Sequence, residues 1–383
     1  MKIHQLLYIG FSALCLMGCK NKPIENTDIR LLAEKDFSAT VNNKQVGIYT
    51  LDSGNGIIMQ VTNLGGRIVS LWTPDRNNKY EDIVLGYNNI EEYINNPNSR
   101  FLGSVLGRYA NRIANGQFEL DRVKYQLPQN SGTNCLHGGT SGFDVVVWNV
   151  DSVSNNEIHL SYLSPDGDNG FPGNLNVKMA YSLTSENEFK IKYMATTDKP
   201  THVNLSNHSY FNLKGEGNGT ILDHELTVNA DSITPINGFS IPTGEYLSVE
   251  NTPFDFRISI VIGKRINDEN EQLKNGSGYD HNWVLNRKTE SDVEWAATLY
   301  EPTSGRQMQI WTDQPGIQIY TSNFAKGTDI GKYNKPHNYR ESIALETQKF
   351  PDSPNQSHFP STRLDPGQVY VQNTVYKFSN NAN

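Results

Sequence analysis

The sequence predicts an all-β protein built from many short antiparallel strands. Apolar and polar residues alternate through most of the chain after residue 37, most clearly over 175–183 and 189–193, which a turn at 184–187 joins as a hairpin. Clusters of Gly, Asn, Asp and Pro interrupt this pattern at short intervals. Few segments have a helical period, and residues 90–95 are expected to form one or two turns of helix. We therefore expect one large β domain, over residues 37–380.

The N-terminal residues have the features of a bacterial export signal. Lys2 supplies positive charge, and the apolar stretch 6–17 has the length of a signal-peptide core but is short for a membrane span. The stretch ends in the letters LMGC, which are similar to the lipobox of bacterial lipoproteins, where the Cys carries the lipid. We predict a lipoprotein signal peptide over residues 1–18, lipidation of Cys19 and a tether over residues 19–36. An ordinary signal peptide with an incidental Cys, or an uncleaved anchor, remains open.

These features predict a protein of the bacterial cell envelope, periplasmic or on the outer membrane, that contacts the membrane only through a lipid on Cys19. The mature chain would then contain Cys19 and Cys135 alone, so we expect no intrachain disulfide. A monomer or weak dimer is expected.

Charge and aromatic content limit the classes of ligand. The formal net charge is −8 at pH 7, and we therefore expect no nucleic-acid partner. The chain has 19 Tyr and 5 Trp, residues that suit both β-sheets and the apolar faces of sugar rings.

Six segments concentrate polar side chains. They are 107–116 (GRYANRIANG), 134–139 (NCLHGG) with 142–144 (GFD), 201–213 (THVNLSNHSYFNL), 278–283 (GYDHNW), 314–320 (QPGIQIY), and 344–348 (ALETQ) with 350–352 (FPD). Two Arg and two Asn in the first segment suit recognition of sugar hydroxyls, although a solvated loop explains them equally well.

Two of the segments contain candidate proton-transfer groups. If residues 201–213 form a strand, the polar residues His202, Asn204, Ser206 and His208 share one face. Histidine exchanges protons near neutral pH. Glu346 follows the apolar run 343–345, where an unpaired carboxylate is costly, so it needs a partner or a chemical role.

Together, in order and in spacing, the six segments resemble the aldose 1-epimerase (galactose mutarotase) family, and the resemblance extends over about residues 37–378. It implies a large antiparallel β-supersandwich with an open sugar cleft. It also implies an isomerase of carbohydrate metabolism, which interconverts the α and β anomers of free aldoses such as glucose and galactose. The small-molecule aldose is the implied partner, and no metal or cofactor is implied.

The resemblance also implies residue roles. Glu346 is similar to the general base that takes the proton from the C1 hydroxyl, and His208 to the general acid that protonates the ring oxygen. The implied substrate-binding residues are Asn111, Arg112, His137, Asp280 and Gln318. Two positions differ from the family pattern: His202 stands where Pro is more frequent, and we expect it to be exposed, while Cys135 lies beside His137.

Other functions have less support in the sequence. A non-catalytic sugar-binding lipoprotein on the same fold would be expected to lack Glu346 or His208. A sugar-phosphate epimerase would need additional cations at the cleft, and a glycosidase would use Asp280 and Glu346 as its two carboxylates. The chain has no HExxH, paired CxxC or GxSxG motif, so metalloprotease, structural zinc and α/β-hydrolase sites are not supported.

Overall fold

The structure is a computed structural model, and it describes residues 28–96 and 100–380. The predicted signal peptide, Cys19 and the first part of the predicted tether lie outside the described residues. The described chain begins with a short arm that is attached to the domain. The backbone N–H of Leu32 donates to Gln60 Oε1 at 2.8 Å, and Gln60 Nε2 donates to the Leu32 carbonyl at 3.0 Å. Within residues 28–96 and 100–380, none of the helices has the length and apolar character needed to span a bilayer.

Strands dominate the described residues, which confirms the prediction of an all-β fold. The strands are β1 (Ala39–Val41), β2 (Lys44–Val46), β3 (Ile48–Asp52), β4 (Ile58–Thr62), β5 (Arg67–Pro74), β6 (Tyr80–Asp82), β7 (Val105–Leu106), β8 (Arg112–Ile113), β9 (Gln117–Leu120), β10 (Val123–Gln126), β11 (Cys135–Leu136), β12 (Asn149–Val153), β13 (Glu157–Ser164), β14 (Leu175–Leu183), β15 (Glu188–Thr197), β16 (Thr201–His202), β17 (Ser206–Asn207), β18 (Tyr210–Phe211), β19 (Glu225–Val228), β20 (Ala230–Thr234), β21 (Leu247–Ser248), β22 (Ile260–Val261), β23 (Asp280–Leu285), β24 (Glu294–Tyr300), β25 (Arg306–Thr312), β26 (Gly316–Tyr320), β27 (Ile343–Gln348), β28 (Arg363–Leu364) and β29 (Tyr370–Asn380).

Helices are short. The two α-helices are α1 (Ile90–Asn95), as predicted, and α2 (Glu271–Gly276), and the 3-10 helices are Glu34–Phe37, Ala114–Gly116, Asp168–Gly170, Ile262–Lys264, Lys332–Asn334 and Ser353–Asn355.

Three sheets form most of the molecule. The largest has the strand order β12-β13-β14-β15-β29-β25-β24-β19-β22, the second has the order β18-β27-β26-β23-β20-β21, and the third has the order β3-β4-β5-β6. Neighbouring strands run antiparallel, and the predicted hairpin is β14–β15, with Leu183 opposite Phe189. The remaining strands pair as short two-stranded ribbons.

The nine-stranded and six-stranded sheets pack against each other. Along β14 buried residues alternate with more exposed ones, because one face of the nine-stranded sheet meets the core and the other meets solvent. Contacts cross directly between the sheets: Tyr376 Oη on β29 donates to the Leu345 carbonyl on β27, and the Phe211 and Tyr376 rings lie 5.5 Å apart. This packing is the β-supersandwich that the resemblance implies.

In the six-stranded sheet, by contrast, both faces are covered, and every residue of β27 is buried. Residues paired directly across antiparallel strands share a face. Ile319 lies opposite Leu345 and both belong to the apolar core. Gln318 lies opposite Glu346 and therefore on the other face. That second face is polar, and it carries the candidate site.

A buried ion cluster joins the loop before β27 to the four-stranded sheet. Lys332, which is fully buried, places Nζ 2.7 Å from Asp82 Oδ2 and 3.3 Å from Glu216 Oε2. Nζ also donates to the carbonyls of Val69 and Val84. A second contact joins His337 Nε2 to Glu216 Oε1 at 3.0 Å. The lysine thus compensates two carboxylates that could not otherwise be buried.

Replacing Lys332 with Met is expected to lower the free energy of unfolding by about 3–5 kcal/mol, because it leaves two buried carboxylates without their cation. Chemical denaturation of both proteins measures the difference. Lys190→Met is the matched control, because Lys190 forms an exposed pair with Glu188 at 2.9 Å. It should cost about 1 kcal/mol or less. Similar losses in both variants would contradict the structural role of Lys332.

Candidate active site

Three predicted site residues lie on neighbouring strands of the six-stranded sheet. Glu346 on β27 is opposite Gln318 on β26, and Asp280 lies on β23, the next strand. Gln318 Nε2 donates to Asp280 Oδ1 at 2.6 Å. The other carboxylate oxygen of Asp280 lies 3.9 Å from Arg112 Nη1. All except Arg112 are less than a tenth exposed. The sheet thus supplies a row of buried hydrogen-bonding groups.

Two further residues come from the β8–β11 ribbon, where Leu136 pairs with Arg112. Asn111 and His137 adjoin this pair, and both have left-handed backbone conformations, with φ of 64° and 50°. The backbone N–H of Asn111 donates to His137 Nδ1 at 3.0 Å. Burial holds the pKa of His137 well below its usual value, and the neighbouring charges of His208, Arg112 and Arg100 lower it further. The ring is therefore neutral, and because Nδ1 is an acceptor, Nε2 carries the proton.

His208 connects the ribbon to the sheet. Its Nε2 lies 3.5 Å from Glu346 Oε1, and both side chains are almost completely buried. Its ring meets His137 edge to face at 5.3 Å and lies nearly parallel to Tyr210 at 4.7 Å. The structure therefore brings all seven predicted catalytic and binding residues into one continuous cluster.

Burial shifts the two candidate proton-transfer groups in opposite directions. It raises the pKa of Glu346 well above its usual value, and the charge of Asp280 adds to this while Arg112 opposes it. It lowers the pKa of His208 to about 4. Both shifts disfavour the charged form, so burial favours a shared proton that lies on Glu346 beside a neutral His208. Glu346 Oε2 and Gln318 Oε1 have no protein hydrogen-bond partner, which leaves acceptors for ligand hydroxyls.

Three of these residues have side chains that can bind a metal ion. His137, His208 and Glu346 each offer a ligand atom, and these atoms lie within 4.8 Å of one another. A metal ion at Nε2 of His137 would need the lone pair of that nitrogen. The Asn111 N–H at Nδ1 instead keeps the proton on Nε2. The arrangement suits a hydrogen-bond donor at His137 better than a metal ligand.

Residues 201–213 do not form one continuous strand, so their polar residues do not share one face. The segment forms three short strands, β16, β17 and β18, and two of its polar side chains bind backbone carbonyls near β27. Asn204 Nδ2 donates to the Lys349 carbonyl, and Ser206 Oγ donates to the Thr347 carbonyl. His208 alone of the four predicted polar residues belongs to the site cluster.

The predicted exposure of His202 is wrong, because only 7% of its surface is accessible. Strand β16 pairs with β28, and His202 Nδ1 lies 2.8 Å from Thr362 Oγ1. The ring of Phe118 covers it edge-on at 4.9 Å. Burial lowers the pKa of His202 to about 4.

Aromatic residues around the site had no predicted role. Phe101 contacts His137 with ring centroids 4.5 Å apart, and Tyr320 lies 6.4 Å from His208. Tyr320 could have been found from the sequence, because it shares the period-two face of Gln318. Phe101 lies between β7 and α1, in a segment with no periodicity that would mark it.

The sequence model of the aldose 1-epimerase family matches residues 47–377, which is most of the chain. The chain belongs to the aldose 1-epimerase family. Among its relatives, the galactose mutarotase of Bos taurus is 41% identical over 84% of this chain and 91% of its own length. The aldose 1-epimerase of Escherichia coli (strain K12) is 35% identical over 86% of this chain and 94% of its own length.

Solved structures agree with the fold of this aldose 1-epimerase family member. The aldose epimerase homologue of C. elegans has a TM-score of 0.79 at 30% identity, over 88% of this chain and 99% of that one. The galactose 1-epimerase of Lactobacillus acidophilus NCFM has a TM-score of 0.77 at 29% identity, over 89% and 96%. The predicted family and fold are confirmed.

Proposed function

We propose that this aldose 1-epimerase interconverts the α and β anomers of free aldoses, such as glucose and galactose, by acid/base-catalysed opening and closing of the sugar ring. One observation carries the proposal: a carboxylate and an imidazole, Glu346 and His208, approach to 3.5 Å within a buried cluster of hydrogen-bonding groups. The names of the relatives, galactose mutarotase and aldose 1-epimerase, support the same reaction.

In the proposed mechanism, Glu346 takes the proton from the C1 hydroxyl while His208 gives a proton to the ring oxygen. The bond between C1 and the ring oxygen breaks, and C1 becomes an aldehyde carbon. After rotation about the C1–C2 bond, the ring oxygen attacks the other carbonyl face, and the two residues exchange protons in reverse. The enzyme ends in its starting state, with atoms and protons balanced.

The protonation of the free site differs from the one that ring opening requires. Burial favours the shared proton on Glu346, whereas the general acid needs it on His208. Both arrangements have the same net charge, so a transfer across the 3.5 Å contact interconverts them. Arg112 favours the ionised carboxylate. A C1 hydroxyl that donates to Glu346 would favour it further.

The remaining residues are proposed to orient the sugar. Gln318 and Asp280 present a paired amide and carboxylate, and Arg112 adds a cation with five donors. His137 offers its Nε2 proton, because Asn111 N–H occupies the other ring nitrogen. A mixture of fixed donors and acceptors suits sugar hydroxyls, each of which can donate and accept.

The pH dependence of kcat/KM follows from the shared proton. We expect kcat/KM to fall as pH drops through about 4, because His208 then becomes cationic while Glu346 stays protonated, and no base remains. An unburied imidazolium acid would instead lose its proton as pH rises through about 6.5. A pH series of initial rates, with fluorescence to check folding, measures the profile. An unchanged rate as pH drops through about 4, in protein that remains folded, would contradict the lowered pKa of His208 and its proposed role.

Polarimetry tests the reaction directly. Freshly dissolved α-glucose or α-galactose should lose optical rotation faster with the purified protein, without added metal, and a panel of sugars would define the preferred aldose. Glu346→Gln and His208→Asn should remove most of the acceleration. Binding of sugar by the wild-type protein with no acceleration would instead indicate a non-catalytic sugar-binding protein.

We further propose that a lipid on Cys19 holds the enzyme in the bacterial cell envelope, where it acts on sugars released outside the cytoplasm. The support is the apolar stretch 6–17 followed by the LMGC letters. Cys19→Ala should move the protein from the membrane fraction to the soluble fraction, and mass spectrometry should find lipid only on the wild-type protein. Wild-type protein found only in the cytosol would refute this proposal.

A further inference from the structure

The GFD segment, residues 142–144, has no role in the proposed reaction, yet its Asp144 forms a buried ion pair. Arg100 Nε donates to Asp144 Oδ2 at 2.5 Å, and Nη2 donates to Oδ1 at 2.9 Å. The Asp144 side chain is fully buried, and that of Arg100 is 20% exposed. A bidentate pair of this kind fixes the direction of the guanidinium plane as well as its position.

Glycine at position 142 is required by the same packing. A Cβ there would lie 2.5 Å from the carbonyl oxygen of His137 and 2.8 Å from Asp144 Oδ1. The segment therefore runs directly against the backbone of one proposed substrate-binding histidine while it orients Arg100.

The loop that carries Arg100 is fixed on both sides. Buried Arg67 donates from Nη1 to the Leu102 carbonyl at 2.8 Å and from Nη2 to the Asp144 carbonyl at 2.6 Å. Across the loop, Gly103 N donates to the His208 carbonyl at 3.0 Å, and His208 N donates to the Ser104 carbonyl at 2.9 Å. Movement of the loop would therefore displace the backbone of His208.

Phe101 connects this framework to the two imidazoles. The guanidinium of Arg100 lies 5.2 Å from the centre of the Phe101 ring. The ring meets His137 at 4.5 Å, tilted by 64°, and lies nearly parallel to His208, at 6.2 Å and 18°. One aromatic side chain thus contacts both histidines, and its own position depends on Arg100.

We infer that Asp144 and Arg100 are positioning residues: they hold Phe101 against His137 and His208, and so keep both imidazoles oriented and shielded from water. The inference rests on the proposed function for its effect on catalysis. The orientation and shielding of the two imidazoles, by contrast, can be measured without any reaction.

Several other groups also act on His208 and must be held constant in any test. The titratable and charged residues around the two imidazoles are Glu346, His137, Asp280, Arg112, Arg100, Tyr210 and Tyr320. Substitutions at Asp144 and Phe101 remove none of these groups, and among them only Arg100 loses a hydrogen-bond partner, in Asp144→Asn.

Asp144→Asn and Phe101→Ala are the two test variants. We expect each to lower kcat by up to about 10²-fold, as displacement of a reacting group by about an ångström does, with a smaller change in KM. Water that reaches His208 should raise its pKa from about 4 toward the ordinary value of about 6.5, and the acid limb of the rate profile should move with it. NMR titration of the imidazoles follows the same shift without substrate.

Controls separate positioning from stability. Phe101→Tyr keeps the ring and should retain most of the activity. Phe118→Ala removes a similar contact from His202 and should lower stability without moving the acid limb. Because Asp144 acts through Phe101, the double variant should lose little more kcat than either single variant. If Asp144→Asn does not fold, Arg100→Lys replaces it, because lysine keeps the charge near His137 but cannot form the bidentate pair.

The inference would be overturned if the pKa of His208 were unchanged in Phe101→Ala and Asp144→Asn. Additive losses of kcat in the double variant would also overturn it, and so would a Phe101→Tyr variant as slow as Phe101→Ala. If the wild-type protein lacks mutarotase activity, the proposed function fails instead. A shifted His208 titration in the variants would then still support the positioning.

Discussion

Replacing Glu346 with Gln is expected to lower kcat by about 10³-fold, within the range of about 10² to 10⁴ that general acid–base groups contribute. This corresponds to about 4 kcal/mol of transition-state stabilisation. Gln keeps the shape and one acceptor but cannot take the proton from the C1 hydroxyl. KM should change little, because Gln318, Asp280 and Arg112, the proposed substrate-binding residues, are unchanged. Polarimetric rates at saturating sugar measure the effect.

The matched control is Glu301→Gln. Glu301 is also a fully buried carboxylate, and it accepts hydrogen bonds from the backbone N–H groups of Thr303 and Ser304 in its own turn. Its substitution should reduce stability and leave kcat within a few-fold. Equal loss of activity in the two variants would show that Glu346→Gln acts through the fold.

Replacing His208 with Asn is expected to lower kcat by about 10² to 10⁴-fold, because the ring oxygen then has no acid to protonate it. The acid limb near pH 4 should also disappear from any residual activity, since the group that titrates there is gone. Because Glu346 and His208 act as one proton-transfer unit, the double variant should be little slower than the more damaged single variant.

His202→Asn is the control for this second prediction. His202 lies in the same segment, is similarly buried and has the same lowered pKa of about 4, but it contacts Phe118 and Thr362 instead of the site. We expect nearly full activity from this variant. The opposite result would be that the loss of activity near pH 4 disappears in His202→Asn and persists in His208→Asn. That loss would then come from unfolding linked to His202, and it would not support the proposed proton transfer.

Much of the fold could be predicted from the sequence because β-structure leaves a local pattern. The alternation along β14 and β15 records which face meets the core, so the hairpin and its buried face followed from residue order. Glu346 could be singled out for the same reason, since it interrupts a buried strand. Its position opposite Gln318 also depends on strand pairing, which periodicity alone does not reveal.

Other features could not be predicted, because they depend on contacts between distant segments. His202 is buried by β28, about 160 residues later, so no local pattern shows its environment. The Arg100–Asp144 pair likewise joins residues 44 positions apart. An isolated aromatic such as Phe101 is compatible with core, surface or site, and only the neighbouring rings decide which.

The attachment of the arm to the domain has a consequence for where the enzyme can work. The Gln60 side chain hydrogen-bonds both the N–H and the carbonyl of Leu32, so Leu32 is attached to the domain. With the proposed lipid on Cys19, residues 20–32 link the lipid to the domain, and thirteen residues span at most about 45 Å when fully extended. Leu32, and the domain attached to it, would therefore stay close to the bilayer surface. An enzyme anchored in this way would meet sugars near the membrane rather than throughout the surrounding volume.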